Sequence, residues 1–453
     1  PQGEFWPDGR PSRFNRNQAL TLSGCFQRGE ATCTSCHRVH GTPNAHMLKV
    51  AVEAPDGSRT KQSDLLCTQC HSVGAGGAGR AGAAGAAAQA EAARETTGRS
   101  GGVQVAESPA TFANISAHTH HAPDSPGSRC VECHMSDVNW RLITRRRDHS
   151  FQPPVPEMTS RYGVPNACTT CHEDKSPEWA ARTMDEWYSN GARRRAVVAV
   201  ADVMYRAGSA DTTALPDVAH LAADRSHGAL IRASAAEFTG QLIAKADRAG
   251  RAGEDGKSGE AAAAHTGVED FSPASQSPAI TNALIGAASD PEPMVRVAAV
   301  RTLALIRAPQ IPPVLVAHLT DAARLVRAAA AEGLMDLGVT SLPDAAGAAL
   351  ARAQDEWAAS LATFNDVAAD HTALGWLLAA RGQHDDAEKE LKTAIALDPR
   401  DARPHVFLGV LDARAGRFDE ALQRFRTAKK IDPAYQNLDR LIAEAEKRNN
   451  GRD

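Results

Sequence analysis

Four times in the first 172 residues, two cysteines stand two residues apart with a histidine directly after the second. The copies are Cys33-Cys36-His37, Cys67-Cys70-His71, Cys130-Cys133-His134 and Cys168-Cys171-His172. Two thiols at this spacing add across the vinyl groups of one haem, and the next residue's imidazole takes the iron from one side. The thioether anchors leave the side chain after the second cysteine directly under the iron, which is why a histidine must stand there. Zinc held by Cys-x-x-Cys pairs would make no demand for a histidine after each pair. The expectation is four covalently bound c-type haems, with His37, His71, His134 and His172 as proximal iron ligands.

A low-spin haem needs a second axial ligand. Six further histidines fall in the same region: His40, His46, His118, His120, His121 and His149. Six candidates for four irons point to bis-histidine ligation, low potentials and fast outer-sphere electron transfer. Methionine ligation would raise the potential, and Met47, Met135 and Met158 are the available thioethers. His40 stands three residues after His37 and cannot reach round to the far side of that iron, so it would serve a neighbouring haem. The cluster His118-Thr119-His120-His121 precedes the third motif by nine to twelve residues and suits one or two irons. His149 follows Arg145-Arg146-Arg147, whose guanidinium groups can meet haem propionates by bidentate pairing or stand as a solvated basic run. Cys25 is the one cysteine outside the motifs. Such a thiol can be buried, cross-linked or close to a haem, and the adjacent Phe26 favours burial.

The elements that must position these groups are mostly α-helical. The chain has 453 residues, only 5% aromatics and a net charge of -4. Its alanine richness suits helices packed through small side chains. Residues 1–190 form a loop-rich tetrahaem cytochrome domain whose core would be the porphyrins. They include a low-complexity insertion at 74–109. A Gly74, Gly76, Gly79 pattern lies within it, but a haem motif precedes it where a dinucleotide site would need a strand. Residues 191–355 carry three related segments, Asp224 to Arg232, Asp290 to Arg296 and Asp321 to Arg327. In each, the Arg opens an Ala-rich helix, as in HEAT-like helical repeats. A flexible insertion is expected at 248–278. In residues 356–453, Leu374-Gly375, Ala387, Leu391, Ala394 and Pro399 recur 34 residues later as Leu408-Gly409, Ala421, Phe425, Ala428 and Pro433. That is the period of the tetratricopeptide repeat, and Tyr435 to Lys447 reads as its capping helix. The C-terminal half is expected to be one α-helical solenoid, HEAT-like and then tetratricopeptide.

The segments FWPDGRP, CFQRGEATCTSCHRVHG, HTHHAPDSPGSRCVECHM, RRRDHSFQPP and GVPNACTTCHEDKSPEWA resemble exported multihaem cytochromes with a doubled CXXCH domain. Those belong to the nitrite-reductase-like cytochrome superfamily and often have helical-repeat tails. The resemblance covers residues 5–190. It implies distal ligation by His40, His149 and the outer members of the cluster, His118 and His121, which the family often writes His-x-x-His. Ammonia-forming nitrite reductases bind their catalytic haem through Cys-x-x-Cys-Lys and carry a fifth haem. This chain has neither motif, which counts against nitrite reduction.

The leading expectation is electron transfer, with the solenoid docking redox protein partners or copies of the chain itself, up to a homo-oligomer or conducting filament. The alternative is a reductase of nitrogen or sulfur oxyanions at one five-coordinate haem. Residues 1–187 carry 19 Lys+Arg against 19 Asp+Glu, with no basic stripe interleaved with aromatics, so nucleic acid is not an expected partner. No run of about 18 apolar residues, the length of a membrane span, occurs. The chain opens on Pro1, and haem is attached after export. The numbering is therefore expected to begin at or after a cleaved leader, and the protein to be periplasmic or extracellular.

Overall fold

The computed structural model describes residues 6–10, 16–29, 31–38, 40, 47–49, 64, 66–67, 71, 115–123, 125–140, 144–189, 191–254, 277–363, 365–433, 435 and 437–450. His46, Cys70 and the insertion expected at 74–109 lie outside them, as does most of 248–278. The described chain is mostly helical and falls into two compact units, Pro1–Ala246 and Asp247–Asp453. Among the described residues, no helix is long and apolar enough to cross a membrane.

The first unit holds the motifs on very short helices. Cys33–Cys36, Cys130–His134 and Ala167–Cys171 are each about one turn. The only sheet among the described residues is a two-stranded antiparallel hairpin, Asp137–Trp140 against Thr144–Arg147, in the register Asp137 to Arg147 and Trp140 to Thr144. It leaves the third motif and returns just before His149. The helices that follow the motifs pack into the same unit. Val155, Met158, Val164 and Ala201 form a buried cluster with Trp6, Tyr162, Val197 and Val198. The buried Arg194, on the helix Ala192–Gly208, donates to Glu157 at 2.8 Å and also pairs with Asp185. Residues 191–246, read from sequence with the HEAT-like region, thus share a compact unit with the haem motifs.

The second unit is an α-helical solenoid. In its first part the aspartate turns do the work that the sequence pattern suggested. Asp290 and Asp321 each accept a hydrogen bond from the backbone N–H two residues on, at 2.8 and 2.7 Å. Asp224, in the first unit, makes the same turn at 2.9 Å. Arg296 reaches back to the carbonyls of Asp290 and Pro291 and forward to both oxygens of Asp321 at 2.7 Å. Arg327 repeats this with Glu356 as its forward partner, at 2.7 and 2.8 Å. One ladder of bidentate pairs therefore ties each helix pair to the next.

The tetratricopeptide part depends on close helix approach. A Cβ at Gly375 would lie 2.7 Å from Leu391 Cγ, and one at Gly409 would lie 2.5 Å from Phe425 Cε1. The facing residues Ala387, Leu391 and Ala394, and their counterparts Ala421, Phe425 and Ala428, are all buried. Both halves of the 34-residue repeat thus pack glycine against a large side chain at the same repeat position. The last helix, Leu438–Asn450, buries Leu438 and Ala445 and leaves its other face polar.

Candidate functional site

The first, third and fourth motifs are each built on one helical turn, which carries the histidine round toward its own cysteines. The N–H of His37 bonds the carbonyl of Cys33 at 2.9 Å, His71 that of Cys67 at 3.0 Å, and His172 that of Cys168 at 2.9 Å. Local caps hold the turns. Asn166 Oδ1 accepts from Thr169 N at 3.1 Å. Asp64 Oδ1 accepts from Cys130 N at 2.9 Å, while Asp64 Oδ2 takes the buried Arg129 at 3.3 Å. Asp64 stands three residues before Cys67, so one buried carboxylate joins the second motif to the third. Their thiols touch: the Cys67–Cys130 hydrogen bond, together with burial, raises Cys130 far above an ordinary thiol. Burial first, and then the neighbouring Cys168, push the Cys133 thiol up to about 12. The attachment points of motifs two, three and four are therefore side by side.

Three motif histidines face a second histidine. The ring centroids of His37 and His149 are 6.3 Å apart, those of His118 and His134 6.4 Å, and those of His121 and His172 6.1 Å. The first two pairs are nearly parallel, at 19° and 8°. Two imidazoles on opposite sides of one metal, each with a bond of about 2.0 Å and about 1.1 Å more to its ring centre, stand about 6.2 Å apart. Rings in direct contact would be much closer. The spacing fits an iron between each pair. Among the described residues, no three His, Cys, Asp or Glu side chains converge on one metal-sized point. The donors meet in pairs rather than in the fours of structural zinc.

The rings are also oriented for this role. Nδ1 of His134 donates to the Gln152 carbonyl at 3.2 Å, Nδ1 of His149 to the Arg147 carbonyl at 3.0 Å, and Nδ1 of His121 to the Thr119 carbonyl at 2.5 Å. A carbonyl only accepts, so the proton sits on Nδ1 and the lone pair on Nε2, the tautomer a metal takes. Burial, and then the nearby His118, push His134 down to about 4, so this ring is neutral at pH 7.

The cluster 118–121 separates its members. His120 adopts φ 56° and stacks on Trp187 at 4.5 Å, and it joins none of the histidine pairs. His118 and His121 go to different motifs. Trp187, Tyr188 and Trp179, from the helix Pro177–Trp187 and the residue after it, brace this turn and His172. Gly127 faces the His121 ring so closely that a Cβ there would lie 2.7 Å from Cγ and Nε2. These bracing contacts carry no motif signal in the sequence.

Other expectations come out differently. Arg147 does not face outward to a propionate: it bonds both oxygens of Glu132, at 2.7 and 3.0 Å, and the carbonyls of Val131 and Met135 at 3.2 Å each. It ties the hairpin to the third motif. Met158 is fully buried in an apolar cluster. Phe26 is 42% exposed and so does not bury Cys25. Among the described residues, His40 is exposed and joins none of the histidine pairs. Across from His71 lies Cys25, with Sγ 4.0 Å from Nε2.

Residues 25–76 match the doubled CXXCH motif family, residues 275–364 the HEAT repeats and residues 378–445 the tetratricopeptide repeat. No curated protein and no solved structure matches the chain. The protein thus carries a c-type haem-binding segment fused to two kinds of helical repeat associated with protein interaction.

Proposed function

We propose that this protein is a tetrahaem electron-transfer protein that docks its partners through its repeats. The observation that carries the reading is the set of three facing histidine pairs, each at the separation of two ligands on one iron. Cys33, Cys36, Cys67, Cys70, Cys130, Cys133, Cys168 and Cys171 anchor the haems. His37 with His149, His134 with His118, and His172 with His121 hold three irons from both sides; His71 holds the fourth from one. Bound in this way, haem supplies a one-electron couple with little change of geometry.

The chain's own groups then set how that couple works. Nδ1 bonds to backbone carbonyls fix the imidazole planes and raise their basicity, which favours low potentials. Adjacent anchor cysteines of motifs two to four keep the transfer distances short. Asp64 ties the second motif to the third, and the Glu132–Arg147 pair ties the hairpin to the third.

The division into a haem domain 1–190, HEAT-like repeats 191–355 and tetratricopeptide repeats 356–453 belongs to the same reading, as does an exported, periplasmic or extracellular location. The kinship with nitrite-reductase-like cytochromes rests on the quoted segments alone. The partners proposed for the repeats are redox proteins or further copies of the chain, in the fullest form a conducting filament. Mass spectrometry and the pyridine haemochrome assay test the cofactor count, with four haems per chain expected. Reversible one-electron reduction without turnover of nitrite or sulfite is the second expectation. Nitrite binding to a stoichiometric open haem would instead favour the reductase.

A further inference from the structure

The second motif differs from the other three. Its histidine bonds back in the same way, with His71 N–H on the Cys67 carbonyl at 3.0 Å, yet among the described residues it faces sulfur instead of an imidazole. Cys25 Sγ lies 4.0 Å from His71 Nε2. Metal–thiolate bonds of about 2.3 Å and metal–imidazole bonds of about 2.0 Å set two opposed donors about 4.3 Å apart. The histidine pairs of the other three motifs keep the same kind of gap, each wide enough for one iron.

The backbone around Cys25 is built to hold it there. The helix Gly24–Gly29 carries it, entered through the fully buried Ser23, whose Oγ accepts from Phe26 N at 3.1 Å. Ala31 N closes onto the Cys25 carbonyl at 3.0 Å, and Gln27 Nε2 bonds the Thr21 carbonyl at 3.0 Å. The preceding helix Arg16–Leu22 is anchored by the buried Ala19 and Leu22. Among the described residues, the alternative donors near the first motif are exposed, His40 at the surface and Met47 at 54%.

We propose that Cys25 is the distal ligand of the iron held by His71, making this haem histidine/thiolate-ligated and the other three bis-histidine. The assignment rests on the four-haem reading above. On binding ferric iron the thiol gives its proton to solvent, with no change of oxidation state. A thiolate donates more charge than an imidazole, so this haem has the lowest potential of the four.

Electron paramagnetic resonance and near-infrared magnetic circular dichroism of the full-length holoprotein test this. The wild type is expected to show four low-spin haems, one with a thiolate signature. Cys25→Ala is expected to keep four haems, lose that signature and turn a quarter of the iron high-spin. Cys25→Met is expected to restore low spin with a thioether-to-iron band and a raised potential. His40→Ala is expected to change nothing. Four low-spin haems in the wild type without the thiolate signature would overturn the Cys25 assignment alone, as would a high-spin quarter in His40→Ala. A wild-type chain without haem on Cys67 and Cys70 would overturn both this assignment and the four-haem reading. The wild-type spectrum decides even where a variant fails to mature.

Discussion

Adding a single methyl group at Gly127 should remove one ligand from one iron. Gly127 lies in the 3-10 turn Pro126–Ser128, and its φ is not in the left-handed region, so alanine fits the backbone. The obstacle is the His121 ring. The new Cβ would strike Cδ2 first and stand 2.7 Å from Cγ and Nε2, where ordinary contact begins at 3.4 Å, so the ring must retreat by more than the 0.7 Å between the two. It has little room, being bonded through Nδ1 to Thr119 and edged by Trp187 at 5.9 Å. A metal–nitrogen bond tolerates displacement of about 0.2 Å. The iron shared with His172 should therefore lose its distal ligand. Overpacking of this kind costs about 1–3 kcal/mol. Resonance Raman of Gly127→Ala is expected to place one haem of four in the high-spin population with the haem count unchanged. A fully low-spin spectrum identical to wild type would refute the pairing of His121 with His172.

Asp64→Ala would leave the buried Arg129 unpaired and the Cys130 N–H uncapped, a loss of about 3–5 kcal/mol; mass spectrometry should then find chains deficient in the second and third haems. Gly409→Ala would drive a methyl to 2.5 Å from Phe425 and lower the stability of the second unit by about 1–3 kcal/mol in chemical unfolding, with the haem spectrum unchanged. In the same unit, His371 is 2.5 Å from Glu390. Burial opposes its charge, but the hydrogen bonds to Glu390 and the Asn365 carbonyl prevail and raise it above an ordinary histidine. Its contribution is therefore fully present below about pH 6.5 and lost as pH rises through the raised value. The melting temperature should fall over that window in wild type and should not in His371→Gln.

Local spacing made the motif residues legible, because one helical turn both defines Cys-x-x-Cys-His and closes it. The same holds for the 34-residue repeat, where Gly375 and Gly409 face Leu391 and Phe425 across a contact that recurs with the period. The Asp-to-Arg segments also follow from a local turn, although the forward partners Asp321 and Glu356 belong to the next helices. Long-range partners left no such trace. Cys25 meets His71 across 46 residues, and Asp64 caps Cys130 across 66. Nothing periodic links either pair. Arg147 read as a propionate partner or part of a solvated run because it ends Arg145-Arg146-Arg147, yet the returning strand brings it to Glu132. Phe26 suggested burial by its type, but the short helix that carries it turns it outward.

The most direct test of the account is a ligand census of the purified, fully loaded wild-type protein by near-infrared magnetic circular dichroism, normalised to its haem content. Four haems per chain, all six-coordinate and low-spin, three of them bis-histidine, are the predicted result. One full equivalent of high-spin, five-coordinate haem that takes up nitrite or cyanide without displacing a ligand would contradict it.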